Sequence, residues 1–531
     1  MDARTPVFLA PDVMMEPLVN QWFAVHTLVP PVSAAMMVVN KQLRIMKSFV
    51  DYPQGHVQAL KMPGMAGGSF LDVDPSRVPE VRELLERTQR ENPEFIEFDG
   101  AVRALEKMLA QETSGEGLER LYPLLPEALR GYVELKYDMQ HRPSFRFFEQ
   151  LLYRGRFYKE RCQSVMLTRG GTDARPFAYS TPRLAGEGRV FLPLPFRHEA
   201  LSALARMREH AAPLGEIQER LGVTAGQEAT FQSFFTEQAP VRAGRFAGPG
   251  VRVRYFGHAC LLIESRDVSV LVDPSISYQY PTELPRFTFA DLPEHIDYVL
   301  ITHGHGDHIN LETLLQLRHK VGTVVVPRSS SGMADLSLKL LLRAIGFPRV
   351  RDLDELESIE LPGGSILGLP FLGEHADLDV RAKLIYRVEL EGRTVLAASD
   401  TNCLEPRVYE YLREDVGSPD ALFLSMESEG APMSWGYGHM FTSPLPRKMD
   451  QARRLNGANF ARAAPLVELL APKRVYNYSM GLEPWLSHVM GLAYTATSPQ
   501  ILESDKFIAY CRERGIHAER PFARLELTLA P

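Results

Sequence analysis

Four side chains able to bind a metal ion fall within six residues of this chain: His303, His305, Asp307 and His308, in the run Ile301-Thr302-His303-Gly304-His305-Gly306-Asp307-His308-Ile309. The apolar, β-branched stretch 298–302 before them reads as a buried strand, so the ligands are expected at the strand's C-terminal end, where α/β folds gather their sites. Gly304 and Gly306 let the loop turn tightly, with His303 and His305 on one ion and Asp307 and His308 facing a second. One buried imidazole needs only one hydrogen bond. Four such groups in so short a loop repel or compete unless a cation organises them.

The elements that must carry this loop belong to a large chain. Its 531 residues, 45% hydrophobic and 24% charged, describe a globular protein of more than one domain. A formal charge of -7 is mild for this size and argues against a nucleic-acid binder. No apolar run approaches the ~18 residues of a membrane span, and the segment after Asp2 and Arg4 is broken by Pro11-Asp12. Cys162, Cys260, Cys403 and Cys511 stand far apart with no CxxC pair, so a reducing cytoplasm is the expected home.

Pro/Gly punctuation at 239–250 divides the chain into an N-terminal domain, 1–245, and a metal-bearing domain, 246–531. The first half is expected to be mainly helical, over 74–87, 102–111, 118–136, 145–153 and 199–210, with an ambiguous, strand-like stretch at 36–45. In the second half short β runs appear at 251–256, 260–264, 268–272, 298–302, 323–326 and 366–369, then at 384–389, 394–398, 422–425 and 474–478, with helices between them.

Phe256-Gly257-His258-Ala259-Cys260, Val272-Asp273-Pro274, the 303–308 cluster and Ser399-Asp400-Thr401 resemble the successive motifs of the metallo-β-lactamase superfamily, over about half the chain. The resemblance implies an α/β, αββα sandwich with a two-metal cleft at one edge of its sheets. The superfamily includes hydrolases and redox proteins, so the ligands must decide the reaction. In hydrolytic members a third histidine on a later loop completes the first metal site, and here that loop reads Gly373-Glu374-His375-Ala376. In an extended segment only one of Glu374 and His375 should face the cleft. His375 would give a zinc site suited to ester, lactone or phosphodiester hydrolysis. Glu374 would add a negative charge and a hard oxygen donor, which favours iron. Glu427, just past strand 421–425, either adds a carboxylate to the second metal or sits in a solvated loop. The final histidine of zinc hydrolases has no counterpart directly after 474–478, where the chain reads Ser479-Met480-Gly481.

This carboxylate-rich pattern, with a long N-terminal domain, resembles the di-iron β-hydroxylases of nonribosomal peptide pathways, of the chloramphenicol-pathway type. The resemblance implies that His303, His305 and Glu374 hold one iron, Asp307 and His308 the other, and Asp400 links them, with Glu427 nearby and ligating in one redox state. Glu374 and Asp400 would be central to catalysis. Two Fe ions, dioxygen as co-substrate and an external electron donor would insert one oxygen atom into the β C–H bond of an amino acid held as a thioester on a carrier domain. Partners implied are that carrier, a reductase and a second copy of the chain in a homodimer; the N-terminal domain would aid dimerisation and cover the cleft.

Several other residues carry weaker signals. Asp273 could hydrogen-bond a ligating histidine or simply form an Asp-Pro turn, and His258 is expected to make a structural hydrogen bond rather than ligate. The Gly/aromatic loop around His439 suits a pocket wall. Arg242, Arg245, Arg252 and Arg254 could steer an acidic carrier, although a solvated face is the simpler reading.

Overall fold

The computed structural model describes residues 4–62, 65, 68–491 and 493–531; Asp2 lies outside them. Two seven-stranded mixed sheets pack face to face in the second half of the chain. In the first, Val251–Tyr255, Leu261–Glu264 and Ser269–Val272 pair antiparallel, the C-terminal strand Leu525–Leu529 closes one edge, and Ile296–Leu300, Val321–Pro327 and Val350–Leu353 continue in parallel. The second changes in the same way: Ser358–Leu361 to Arg393–Ala397 run antiparallel, then Ala421–Ser425, Arg474–Tyr478 and His517–Glu519 are parallel.

Strand alternation explains why these runs are apolar on nearly every residue. Val253, Ile263, Val270 and Val325 face Ile366, Tyr386, Val388 and Phe423 across the sandwich. The opposite side of the first sheet, with Leu262, Leu271, Val299 and Val324, packs against Trp22, Val32 and Leu204 of the N-terminal half. The outer side of the second, with Leu396, Leu422 and Val475, packs under helices Phe460–Leu470 and Pro499–Glu513. Both sheets are therefore covered on both faces, as their parallel strands require.

The N-terminal half is mixed rather than mainly helical. Alongside its helices it holds three small sheets of three, four and two strands. The expected helix over 118–136 is a 3-10 segment, Leu118–Leu124, interrupted by Pro123, followed by a strand, Val133–Tyr137. That strand pairs with Pro143–Phe147, whose last three residues were expected to open a helix. Alternation decides both cases: Val133, Leu135 and Phe147 are buried while Lys136 and Arg146 are exposed, a period of two. The reverse error occurs at 36–45. This stretch is helical, Pro31–Met37 and Leu43–Asp51 joined by a π turn at Val38–Gln42, because Pro31 to Val38 are buried on all sides and β-branching at Val38-Val39 gives no usable period.

The two halves are tied by buried charge. Arg175 bridges Glu16 of the N-terminal half and Glu312 of the metal-bearing half, at 2.9 Å for Glu312, and Arg183 holds Glu16 at 2.6 Å. No helix or strand lies between Thr236 and Val251. Among the described residues no helix is long and apolar enough to cross a membrane.

Candidate metal centre

Strand Ile296–Leu300 delivers the loop to the edge of the first sheet, and Asp273 fixes its exit. The buried Asp273 carboxylate accepts from Thr302 N at 2.8 Å and Thr302 Oγ1 at 2.6 Å. It also lies 2.8 Å from His308 Nδ1. With Nδ1–H given to that carboxylate, His308 Nε2 is the free nitrogen and faces Asp400 Oδ2 at 3.1 Å. The loop turns through His305, whose carbonyl accepts from His308 N and Ile309 N, and Asn310 caps the following helix, Leu311–Leu317.

Glu374 and His375 both reach the cluster. The segment is not extended: Gly373, Glu374, Ala376 and Asp377 have φ of 83°, 69°, 53° and 56°, so the one-side-only expectation fails. Gly373 is required there, since a Cβ would lie 2.7 Å from Asn402 Nδ2. Glu374 Oε1 is 2.8 Å from His305 Nδ1, and Oε2 is 2.9 Å from His375 Nδ1 and 3.8 Å from His303 Nε2. His375 stacks on His305 at 4.6 Å.

Asp400 leaves the end of strand Arg393–Ala397 and is 3.1 Å from His308 and 3.8 Å from His303. Among the described residues it alone shares a ligand-distance group with both histidines: the three groups are His303, His305, Glu374 and His375; His258, Asp307 and His308; and His303, His308 and Asp400, each with ligand atoms within 4.8 Å of one another. Glu427 lines the same cavity but falls in none of these groups. Burial, then the charges of Asp400, Asp307 and Glu374, push its carboxyl well above the usual carboxylate range.

The donor set fits a pair of hard cations. His303 Nε2 and His375 Nε2 are buried with no hydrogen-bond partner, a costly arrangement unless an ion receives them. Burial alone would raise the Glu374 carboxyl, yet His305 and His375 hold it down to about 2. Asp307 is likewise held below its ordinary range, by His308 and His258 against burial. His258 Nδ1 accepts from Gly481 N at 3.1 Å and Nε2 lies 3.0 Å from Asp307 Oδ2, which gives it a structural hydrogen bond and also a place in a ligand-distance group.

The centre opens on a cavity of about 340 Å³ walled by both halves of the chain, with His26, Tyr179, Met333, Trp435, Tyr437 and Met490 among its lining. Sequence reasoning missed His26, Tyr179 and Ser479. No spacing rule links the first two to a loop more than a hundred residues away. Ser479 occupies the place of the absent final histidine and donates to Asp400 Oδ1 at 2.9 Å. His439 is buried behind the wall, and its carbonyl accepts from Asn40. The arginine run is internally paired: Arg252 and Arg254 on Glu264, and Arg242 on Glu209.

Residues 8–240 match the diiron non-heme beta-hydroxylase N-terminal domain, and residues 269–464 the beta-lactamase superfamily domain. The 4-amino-L-phenylalanyl-[CmlP-peptidyl-carrier-protein] 3-hydroxylase of Streptomyces venezuelae is 38% identical over 535 residues, covering 98% of this chain and 99% of that protein. The chain belongs to the di-iron non-haem β-hydroxylase family. The crystal structure of CmlA, a diiron β-hydroxylase from Streptomyces venezuelae, matches 99% of this β-hydroxylase with a TM-score of 0.93 and 37% identity, and covers 100% of that chain. A glutamate-to-aspartate variant of CmlA gives a TM-score of 0.91 at 37% identity, over 98% of this chain and 100% of its own. The expected metallo-β-lactamase sandwich and di-iron β-hydroxylase assignment are thus borne out.

Proposed function

We propose that this β-hydroxylase hydroxylates the β-carbon of an amino acid carried as a thioester on a nonribosomal peptide synthetase carrier domain, with 4-amino-L-phenylalanine the first substrate to test. The carrying observation is Glu374, wedged between His305 and His375 at 2.8 and 2.9 Å with its second oxygen 3.8 Å from His303. His303, His305 and Glu374 would hold one iron and Asp307 and His308 the other, with Asp400 shared. Bound there, two irons supply dioxygen activation by one-electron steps, which zinc cannot. The chain's own part is positional. Asp273 and Ser479 orient His308 and Asp400, the aromatic and methionine wall seats an apolar side chain, and Tyr179 with His26 roofs the loop against water. A reductase and a second copy of the chain complete the proposed assembly.

His375 lies in the same ligand-distance group, which keeps a zinc hydrolase as the rival. Metal analysis and spectroscopy of the purified protein separate the two. About two irons per chain and reductant-dependent oxygen uptake with the aminoacyl carrier support the proposal. Two zincs, or His375→Ala losing the metals while Glu374→His keeps full activity, would overturn it.

A further inference from the structure

The structure assigns Tyr437 as a positioning residue that fixes the ring orientation and tautomer of His305 at the metal centre; this deepens the proposed ligand set and rests on it. His305 has two ring nitrogens with two different tasks. Nδ1 is turned to the cluster, 2.8 Å from Glu374 Oε1. A nitrogen that faces a cation must be unprotonated, so the ring's hydrogen is carried on Nε2. That hydrogen has an acceptor within reach, since the Tyr437 hydroxyl is 3.3 Å from Nε2.

Carboxylates and backbone carbonyls are the usual partners behind a ligating imidazole. A carboxylate on Nε2 would add a further negative charge to a site already holding Glu374, Asp307 and Asp400. The phenol accepts the hydrogen without adding that charge. Tyr437 lines the cavity, and His305 is its one hydrogen-bond partner among the described residues. Accepting from His305 leaves its O–H to donate to whatever occupies the cavity.

The local fold supports this placement. Tyr437 ends the short helix Met433–Tyr437, whose first turn is pinned by Asp450 accepting from Ser434 N at 2.7 Å and Ser434 Oγ at 2.9 Å. His305 is thereby held from both sides, His375 stacking on its face and Tyr437 closing the far nitrogen.

The test is Tyr437→Phe, compared with wild type by equilibrium competition for Fe(II) against a chelator and by thermal melting of the metal-free proteins. Loss of an orienting partner costs about 10–100-fold in metal affinity. The expected result is a loss of that size at one of two sites, with a shift in the ligand-field spectrum of the iron-loaded protein and an unchanged metal-free Tm. Wild-type iron affinity in the variant overturns the assignment, as does a loss matched by equal destabilisation of the metal-free protein. Wild type failing to take up two irons would instead overturn the underlying ligand set, and this assignment with it.

Discussion

At the scale of single residues, the centre is governed by which atom of each side chain is left free. Asp273 takes the Nδ1 side of His308 at 2.8 Å and Ser479 takes one oxygen of Asp400 at 2.9 Å, leaving His308 Nε2 and Asp400 Oδ2 facing each other. Asp273→Asn keeps the shape but removes the charge that orients His308. Its expected effect is a loss of about tenfold or more in Fe(II) affinity, read by chelator competition, with little change in the metal-free Tm. Unchanged affinity would mean that the contact only braces the turn. The 303–308 cluster was legible in sequence because its candidate ligands fall within six residues. Asp273 was legible only as one of two readings, since an Asp-Pro turn and an orienting carboxylate share one local sequence, and the 2.8 Å contact spans 35 residues.

At the scale of elements, two loops do what strands and helices cannot. The 373–377 turn brings Glu374 and His375 to one side by left-handed backbone at residues that pay strain for it. Gly306 lets the N-terminal half press onto the metal loop, because a Cβ there would collide with the Tyr179 hydroxyl. Gly306→Ala is expected to destabilise by about 1–3 kcal/mol and to weaken iron binding, and adding Tyr179→Phe should restore most of both. Denaturant melts and iron titrations of the single and double variants check this; equal defects in both would place the damage in the backbone instead. The strands of the sandwich were readable from apolar runs, whereas 133–136 and 145–147 read as helix because a short alternating strand pair with long side chains also fits a helical count.

For the whole molecule, the buried bridge Glu16–Arg175–Glu312 couples the N-terminal half to the metal-bearing half. Arg175→Met would leave the buried Glu312 without its cation while Glu16 keeps Arg183, and is expected to cost about 3–5 kcal/mol in urea unfolding. The same network gives an acid limit. Burial alone would raise the Glu16 carboxyl, but Arg183 and Arg175 hold it far below its ordinary 4.5. A carboxyl depressed in the folded state contributes stability that is fully present above its unfolded value and lost as pH falls through its folded one. Wild-type urea midpoints should therefore fall progressively below about pH 4.5, and Arg175→Met should flatten that fall. An acid profile unchanged by the substitution would show that other carboxylates set the limit.

By itself the sequence determined the contiguous candidate ligands His303, His305, Asp307 and His308 and the apolar strands of a two-sheet sandwich, because each is a local pattern of spacing or period. Only the tertiary structure decided that Glu374 and His375 share a side, that Asp400 stands between His303 and His308, and that Tyr437, Tyr179 and His26 close the cavity. Those outcomes depend on left-handed backbone and on contacts between segments distant in sequence, which no local spacing encodes.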